Sequence, residues 1–505
     1  MRGRTMQAVE LTDGEPTHVS QDDAPDASTS ATRSTKKRRW ALAGGVALLV
    51  ATLAATQGII SWRQNAAIAQ LAAVDGVVPE LDGHLDAGKS YSARETSALF
   101  GSPVGGQLVR GHDGSLTYQW GPADHPAWSR QVLGPVPALA GALSVDSPSL
   151  CAPDVTPDAD ADKATRVVCL ITDGGTAVLD EQGQNKDVPA TATFIDVLDT
   201  ATGAPLATWP APATTTFTPM DGQVIVGSTQ GATDTFTSRD MLTGAASWTH
   251  EVALTADQTT EPLRGSVSVS RFKDTLILRT SAGRLQLLSP DGDVVRDDIG
   301  TDSDAPWGWQ PGPTGRLILE TWDDAGTPSA MLLAPDANPK ADRTLAGGLA
   351  QPAVDDGSVP GLLLTADTAL HAWDADTGAA RWSSKSLFDL AEGGTRPSIL
   401  VIHGRVYVLT STGVVALDGH SGETLWRVKP DKGQVATTLL TDAHHLFVGY
   451  ERADQAGAAQ LVAYPFDEGA PSWHMTYPEG IDHVVSWDGR LIGYDQDFTT
   501  FTLLS

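Results

Sequence analysis

Short apolar runs separated by glycine, serine, threonine and aspartate dominate the second half of the chain. The clearest stretch, residues 404–426, reads GRVYVLTSTGVVALDGHSGETLW. Its pattern predicts a strand over 405–409, a turn, a second strand over 414–417 and a third strand that carries Trp426. Runs of β-branched and apolar residues punctuated in this way indicate an all-β body.

One pattern of residue types, Ala-x-Asp-x-x-(Thr/Ser)-Gly-x-x-x-Trp, recurs through these strands. The residues at its aspartate, glycine and tryptophan positions are Asp199, Gly203, Trp209, Asp240, Gly244, Trp248, Asp374, Gly378, Trp382, Asp418, Gly422, Trp426, Gly469 and Trp473. The carboxylate is suited to accept from turn amides, and glycine permits a positive φ in that turn. The indole offers a flat surface to wedge between neighbouring units. The motif therefore predicts packing and implies no reaction.

The spacing of the copies predicts the architecture. Asp199 and Asp240 lie 41 residues apart, and Asp374 and Asp418 lie 44 apart. The gap between Asp240 and Asp374 has room for two degenerate units, at 276–290 and 317–335. A period of about 40–50 residues with four short strands per unit is typical of propeller blades. We expect one β-propeller over 101–505, with eight four-stranded blades, or seven as the alternative. The chain ends where a tryptophan strand should begin, and residues 115–120 (SLTYQW) are predicted to complete that blade.

These motifs resemble the tryptophan-docking repeat of quinoprotein-like, pyrroloquinoline-quinone-like propellers. The best-known enzymes of that family are quinone-dependent dehydrogenases, which use a bridge between adjacent cysteines, a calcium site and an aspartate base. Here the two cysteines are 18 residues apart and the long insertions that build such a site are missing, so we predict no cofactor. An outer-membrane assembly scaffold is similar in architecture. It is a lipoprotein, however, and no cysteine directly follows the apolar segment of this chain at the position of a lipid anchor.

That apolar segment, residues 41–60, carries no charge. Twenty helical residues rise about 30 Å, which matches the hydrocarbon core of a bilayer. Four basic residues precede it at 36–39, and Trp40 and Trp62 lie at its ends. The positive-inside rule then predicts a single transmembrane signal-anchor helix over 40–62, with the N-terminus in the cytoplasm. A cleaved signal peptide is the alternative.

The flanking segments differ in composition from the body. Residues 1–39 are polar and are predicted to be a disordered cytoplasmic tail, and residues 63–100 are predicted to be a juxtamembrane stalk. The net charge is −28, and because residues 1–39 carry seven basic and six acidic residues, the rest of the chain carries −29. Such a charge disfavours nucleic acid as a partner.

Cys151 and Cys169 are the only cysteines. Both fall in the part placed outside the membrane, where an even cysteine count favours a disulfide. Two independent buried thiols are the alternative.

Four other groups contain residue types that serve chemistry in other proteins. They are Asp158-Ala-Asp160-Ala-Asp162, His444-His445, Asp482-His483 and Trp307-Gly308-Trp309. The aspartates lack the glycine and the bidentate glutamate of a calcium loop, and the histidine pair lacks a third ligand at zinc spacing. The third group has no nucleophile elbow, and the tryptophans suit blade packing as well as ligand stacking. We predict no catalytic, cofactor-binding or metal-binding residue.

The sequence as a whole predicts a non-enzymatic bacterial scaffold or binding propeller on the outer face of the cytoplasmic membrane. Its loops would face a protein, peptide or glycan partner, because propeller function resides in variable loops. The alternatives are a membrane-bound quinoprotein oxidoreductase, which would take up quinone and calcium, and an extracellular ligand sensor that signals through the tail.

Overall fold

Strands and turns make up nearly all of the described structure. The computed structural model describes residues 65–92, 106–121, 126–142, 144–155, 163–178, 184–212, 215–255, 267–299, 308–322, 328–334, 338–385, 387–388, 397–410, 412–452, 459–487 and 489–505. Helical residues there are 65–72, two short 3-10 turns, Pro137–Leu139 and Pro339–Ala341, and the 3-10 residue Lys163. Residues Ala67–Ser505 form one compact unit. The prediction of an all-β body is confirmed.

The first half of the body forms three main sheets and one small one. Its strands are β1 (Ala87–Ser92), β2 (Gly106–Arg110), β3 (Leu116–Trp120), β4 (Trp128–Leu133), β5 (Ser144–Asp146), β6 (Leu150–Pro153), β7 (Arg166–Thr172), β8 (Gly175–Val178), β9 (Asn185–Val188), β10 (Thr193–Asp199), β11 (Pro205–Pro210), β12 (Thr215–Met220), β13 (Gln223–Gln230), β14 (Thr233–Asp240) and β15 (Ala246–Ala253). Sheet 1 contains β2 to β4, sheet 2 contains β6, β7, β10 and β11, and sheet 3 contains β12 to β15. The small sheet of β5, β8 and β9 extends the hairpin between β7 and β10.

The second half continues the same succession. Its strands are β16 (Ser268–Phe272), β17 (Thr275–Arg279), β18 (Leu285–Leu288), β19 (Val294–Ile299), β20 (Gly308–Pro311), β21 (Leu317–Trp322), β22 (Pro328–Leu332), β23 (Arg343–Ala346), β24 (Gly348–Leu349), β25 (Val354–Asp355), β26 (Leu362–Ala366), β27 (Leu370–Asp374), β28 (Ala380–Ser383), β29 (Ile399–Ile402), β30 (Arg405–Thr410), β31 (Gly413–Asp418), β32 (Thr424–Val428), β33 (Gln434–Thr441), β34 (Leu446–Arg452), β35 (Gln460–Tyr464), β36 (Trp473–Thr476), β37 (His483–Trp487), β38 (Arg490–Tyr494) and β39 (Thr500–Leu504). Sheet 4 contains β16 to β19 and sheet 5 contains β20 to β23. Sheet 6 contains β24 with β26 to β28, and sheet 7 contains β25 with β29 to β32. Sheet 8 contains β33 to β36, and sheet 9 contains β37 to β39 with β1.

Burial within each sheet explains the apolar runs of the sequence. In sheet 7, the central strand β31 is buried over its first five residues, whereas the edge strand β32 has no fully buried residue. A central strand with sheets packed on both faces needs apolar side chains at successive positions, so its sequence does not alternate. The edge strand faces solvent along one side and carries charge.

The hydrophobic core is divided among the joints between consecutive sheets. Eight clusters of buried side chains each join one sheet to the next, from the cluster around Tyr118 and Cys169 between sheets 1 and 2 to the cluster around Phe447 and Leu491 between sheets 8 and 9. Sheets that pack face to face in chain order are the arrangement of a β-propeller. The eight repeat units of the sequence correspond to sheets 2 to 9, and sheet 1 is an additional three-stranded sheet.

Sheet 9 takes strands from both ends of the described chain. Strand β1 pairs antiparallel with β39, with Tyr91 opposite Phe501, and Asp86 and Ser505 exchange backbone hydrogen bonds. The prediction that residues 115–120 complete this blade is wrong. Strand β3 already has β2 and β4 as local hairpin partners on its two edges, so it lies in sheet 1.

Residues before β1 also pack on the propeller. The predicted stalk covers 63–100, and within it Leu71 and Val77 lie in the core between sheets 7 and 8. Further along, the backbone amide of Val78 donates to Thr441 at 2.9 Å. Residues 67–92 therefore belong to the compact unit.

The predicted tail over 1–39 and the predicted transmembrane helix over 40–62 lie outside the described residues. Within the part of the chain that the structure describes, no helix combines the length and the apolar character needed to cross a bilayer.

The predicted disulfide between Cys151 and Cys169 is confirmed. The two residues face each other in register on β6 and β7 of sheet 2, with their Cα atoms 4.0 Å apart. The bond therefore fastens an edge strand to its neighbour beside the core between sheets 1 and 2.

Candidate functional site

The aspartates of the repeat close the turn before the tryptophan strand. In the turns of Asp199, Asp240, Asp374 and Asp418, one carboxylate oxygen accepts from both the amide and the hydroxyl of the Thr or Ser three residues later, at 2.7–3.0 Å. The following glycine donates its amide to the aspartate carbonyl at 2.8 Å. Those glycines, Gly203, Gly244, Gly378 and Gly422, have φ values of 68–72°, which glycine adopts without the cost imposed by a Cβ atom.

The tryptophan of each repeat packs on the turn of the following sheet. A Cβ atom on Gly422 would lie 2.5 Å from the Trp382 ring, and one on Gly244 would lie 2.9 Å from the Trp209 ring. The indole Nε1 of Trp382 donates to the carbonyl of Gly419, the residue after the turn aspartate, at 2.9 Å. The motif residues therefore join neighbouring sheets, and each joint combines one repeat's tryptophan with the next repeat's glycine.

Sheet 1 supplies a tryptophan of this kind that the sequence reasoning missed. The Trp128 ring lies 2.7 Å from the Cβ position of Gly203, and its Nε1 donates to the carbonyl of Thr200 at 2.7 Å. No Asp-x-x-Thr-Gly turn precedes Trp128 in the sequence. The only available signal in the sequence was the Gly203 turn itself, because no tryptophan of an earlier repeat had been assigned to pack on it.

Sheets 4 and 5 use arginine where the other repeats have tryptophan. Arg296 lies opposite Leu287 as Trp426 lies opposite Ala416, and its guanidinium binds both carboxylate oxygens of Asp342 in sheet 5, at 3.1 and 2.7 Å. The Arg296 side chain is 6% exposed and that of Asp342 is 11% exposed. In the next joint the Cβ of Arg343 lies 2.9 Å from the Cβ position of Gly378. These substitutions explain why the two central units look degenerate.

The last complete tryptophan joint lacks its indole hydrogen bond. Trp426 lies 3.3 Å from the Cβ position of Gly469. The carbonyl of Phe466 accepts instead from Arg405 at 2.6 Å and from the Tyr407 hydroxyl at 2.9 Å. The Nε1 atom of Trp426 is buried and has no acceptor among the described residues. Trp473 packs instead on Phe447 of its own sheet, with ring centroids 5.4 Å apart.

The histidines singled out in the sequence have structural partners. The amides of His444 and His445 donate to the buried carboxylate of Asp442 at 2.8 and 2.7 Å. The same carboxylate accepts from the amide of Leu81 at 3.2 Å, which ties the segment before β1 to sheet 8. Within the described ranges, no three His, Cys, Asp or Glu side chains are grouped to hold a metal ion.

The other candidate groups that the structure describes also have structural partners. Asp482 accepts from the Gln496 amide at 2.9 Å, and His483 Nδ1 lies 2.7 Å from a Glu451 carboxylate oxygen. Trp309 packs edge-on against Phe272 in the joint between sheets 4 and 5. Residues 158–162 and Trp307 lie outside the described residues.

Hydrogen bonding in the turns holds several carboxylates in the ionised form. The pKa of Asp374 is lowered from 3.8 to about 2, first by the Arg381 guanidinium and then by Thr377. The pKa of Asp240 is lowered by the Thr243 hydroxyl and amide, and that of Asp418 by Ser421. Burial has the opposite effect in sheet 2, where it raises the pKa of Asp196.

Comparison with known proteins agrees with this architecture. Residues 319–492 match the model of a family described as "Outer membrane protein assembly factor BamB". The predicted resemblance to pyrroloquinoline-quinone-like propeller repeats is thereby confirmed. No curated protein matches the sequence.

Two solved structures are similar to the chain at low sequence identity. The crystal structure of BamB from Moraxella catarrhalis is 15% identical, with 83% of this chain and 97% of that chain covered and a TM-score of 0.35. The computationally designed Ika8 protein is 14% identical, with 65% of this chain and 92% of that chain covered and a TM-score of 0.29.

The glycine in a docking turn is expected to be irreplaceable for two separable reasons. Gly422→Ala places a methyl group 2.5 Å from the Trp382 ring in a residue with φ of 72°. Strain in the backbone and overpacking together cost about 2–4 kcal/mol. Gly404→Ala is the control, because Gly404 has φ of 74° and nothing within 4 Å of its Cβ position, so only about 1–2 kcal/mol is expected. Denaturant unfolding measures the free energy of unfolding of both variants, and equal losses for Gly422→Ala and Gly404→Ala would contradict the docking role.

The arginine joint is expected to depend on its carboxylate. Asp342→Ala leaves the buried Arg296 without its bidentate partner, and breaking a buried pair in this way costs about 3–5 kcal/mol. The control is Asp467→Ala, since the Asp467 side chain that pairs with Arg405 is 81% exposed and such pairs contribute about 0–1 kcal/mol. Urea unfolding of both variants measures the difference, and similar midpoints would argue against this joint.

The turn carboxylates predict a pH dependence of defined sign. The folded-state pKa of Asp374, about 2, is below the unfolded value of about 3.9. The ionised side chain therefore stabilises the fold at neutral pH, and that contribution is lost as the pH falls from about 4 through 2. We expect Asp374→Asn to lower the melting temperature at pH 7, and the difference from the unmodified chain to shrink as the pH falls to about 2 and to vanish below it. Asp376→Asn, in the same turn, is the control, and a pH-independent difference for Asp374→Asn would contradict the assignment.

Proposed function

We propose that this protein is a non-enzymatic scaffold propeller, built on eight repeat blades and held at the outer face of the cytoplasmic membrane by one helix. Its loops bind a protein, peptide or glycan partner. The observation that carries the proposal is the match of residues 319–492 to a family described as an outer membrane protein assembly factor. Assembly factors act by binding other proteins, and propellers present loops from a rigid body for that purpose.

The use of the repeat residues supports a binding role. The turn aspartates are engaged by Thr or Ser, and the tryptophans and arginines are engaged in the joints. The polar groups of the repeat therefore form hydrogen bonds that make the body rigid. A rigid body lowers the entropy cost of binding, because little has to be ordered when a partner docks.

The segment before β1 supports display close to a membrane. The predicted transmembrane helix ends at residue 62, and Ile68 already packs against the core between sheets 7 and 8. Six residues reach at most about 22 Å when fully extended. An anchor at that point holds the propeller within reach of partners in or near the bilayer.

The proposal predicts both a topology and a contact. In intact bacterial spheroplasts, added protease should remove an epitope tag at the C-terminus and leave one at the N-terminus.

A photo-crosslinking amino acid at Gln496, an exposed position in a loop of sheet 9, should give a discrete crosslinked product. The same amino acid at Leu425, which is 46% exposed on an edge strand, is the control position.

A different result would point to the oxidoreductase. The purified chain would then gain melting temperature and visible absorbance on addition of pyrroloquinoline quinone with calcium, and it would reduce a dye. Protection of both tags from protease would contradict the proposed topology.

A further inference from the structure

An aromatic surface lies at one end of sheet 9. It consists of His483 at the start of β37, Tyr494 at the end of β38 and Phe498 in the hairpin that leads to β39, and we call it the aromatic ledge. The Tyr494 and Phe498 rings stack with centroids 5.0 Å apart, and the His483 ring is tilted against Tyr494 at 5.0 Å and stacked with Phe498 at 6.3 Å. Phe498 is 57% exposed. The cluster of three rings is therefore open to solvent at Phe498.

Phe498 is held in a backbone conformation that disfavours it. Its φ is 55°, and its amide donates to the carbonyl of Asp495 three residues earlier at 3.1 Å. The same bond closes the β17–β18 hairpin of sheet 4, where the residue in the left-handed conformation is Gly283. A bulky side chain in this region costs about 1–2 kcal/mol. Glycine would relieve the turn, so the ring at this position has a local cost that the fold does not require.

The charge around the aromatic ledge is negative. Glu451 lies against His483, and Asp482, Asp495 and Asp497 adjoin the three rings in the chain. The Thr499 hydroxyl lowers the pKa of Asp495, so that carboxylate is ionised at neutral pH. Residues 451–505 contain nine acidic residues and two basic ones, Arg452 and Arg490. Arg490 begins β38, at the opposite end of the strand from Tyr494, and Lys89 of β1 lies over the Tyr91 ring at 4.6 Å.

We propose that the aromatic ledge binds a basic segment of a partner protein, with an arginine or lysine side chain over the exposed ring face. Aromatic faces carry negative potential and attract such cations, and neighbouring carboxylates strengthen the attraction. The inference rests on the proposed scaffold function and adds the chemistry of the partner. A second copy of this chain is a poor occupant, because its body carries the same excess of acidic residues.

The test uses the full chain in nanodiscs of phosphatidylcholine, a lipid without net charge. The probe is a fluorescein-labelled glycine-serine peptide that carries three arginines, and its binding is followed by fluorescence anisotropy at about 150 mM salt, where distant charges are screened. A matched peptide with citrulline in place of arginine keeps the shape and removes the charge. We expect the arginine peptide to bind and the citrulline peptide to bind at least about tenfold more weakly.

Variants separate the ring from the general charge of the protein. Phe498→Gly changes no charge and is expected to weaken binding of the arginine peptide about two- to fivefold, while Phe498→Trp retains binding. Leu425→Ala, which removes an exposed apolar side chain from an edge strand, is expected to leave binding unchanged. Because glycine relieves the left-handed turn, the melting temperature of Phe498→Gly should stay the same or rise by about 1–2 °C.

Each contrary result has a definite meaning. If the arginine peptide binds Phe498→Gly as tightly as the unmodified chain, the aromatic ledge is overturned. If the citrulline peptide binds the unmodified chain as tightly as the arginine peptide does, the preference for a cation is overturned. If Gln496 crosslinks to a partner while the arginine peptide fails to bind, the scaffold function stands and this inference falls. If the peptide binds as expected and no partner is crosslinked at Gln496, the scaffold function is the part in doubt.

Discussion

The contact between an aromatic ring and a glycine in the following sheet is the interaction on which the fold depends. The ring approaches so closely that a Cβ atom would lie 2.5–3.3 Å from it at each tryptophan joint between Gly203 and Gly469. Glycine is required there by distance as well as by φ, except at Gly469, where φ is not positive and the contact is tight without excluding a Cβ atom. Since every joint involves only consecutive sheets, the stability of the body approximates a sum of nearest-neighbour terms, as in other repeat proteins.

The joint tolerates a change of chemistry when its geometry is kept. Arg296 and Arg343 occupy the tryptophan place in sheets 4 and 5. Both side chains are long enough to reach the next turn, and the guanidinium of Arg296 replaces one indole hydrogen bond with two to a carboxylate. A buried pair of this kind adds little net stability, but it accepts only one arrangement of the two sheets. The joint between sheets 4 and 5 therefore fixes the orientation of its sheets through charge, where the tryptophan joints do so through shape.

Local pattern and long-range pairing differed in how well they could be predicted. The turns, the strand order within a blade and the disulfide follow from residues close in sequence, and these were readable because each aspartate, glycine and tryptophan acts within or next to its own unit. The pairing of β1 with β39 joins residues such as Ser90 and Thr502, 412 positions apart. Strand β1 (AGKSYS) has no apolar alternation and no tryptophan, so nothing in it specified a partner. The aromatic ledge was missed for a different reason: its rings lie close together in sequence, between residues 483 and 498, but they come from separate strands and a turn, and their contacts depend on how these fold.

Sheet 9 differs from the other blades in ways that bear on function. It is completed by β1 without a tryptophan, and its β38–β39 hairpin carries Phe498 in a left-handed conformation. It also contacts the segment that precedes β1, since the Ser486 hydroxyl donates to the carbonyl of Gly76 at 2.9 Å. The remaining blades are constrained on both faces by their joints, so a change in one of them disturbs a neighbour. Among the described residues, the core clusters join sheet 9 to sheet 8 alone, so an exposed aromatic surface on sheet 9 disturbs fewer neighbours than one on the other blades and has the least cost to stability.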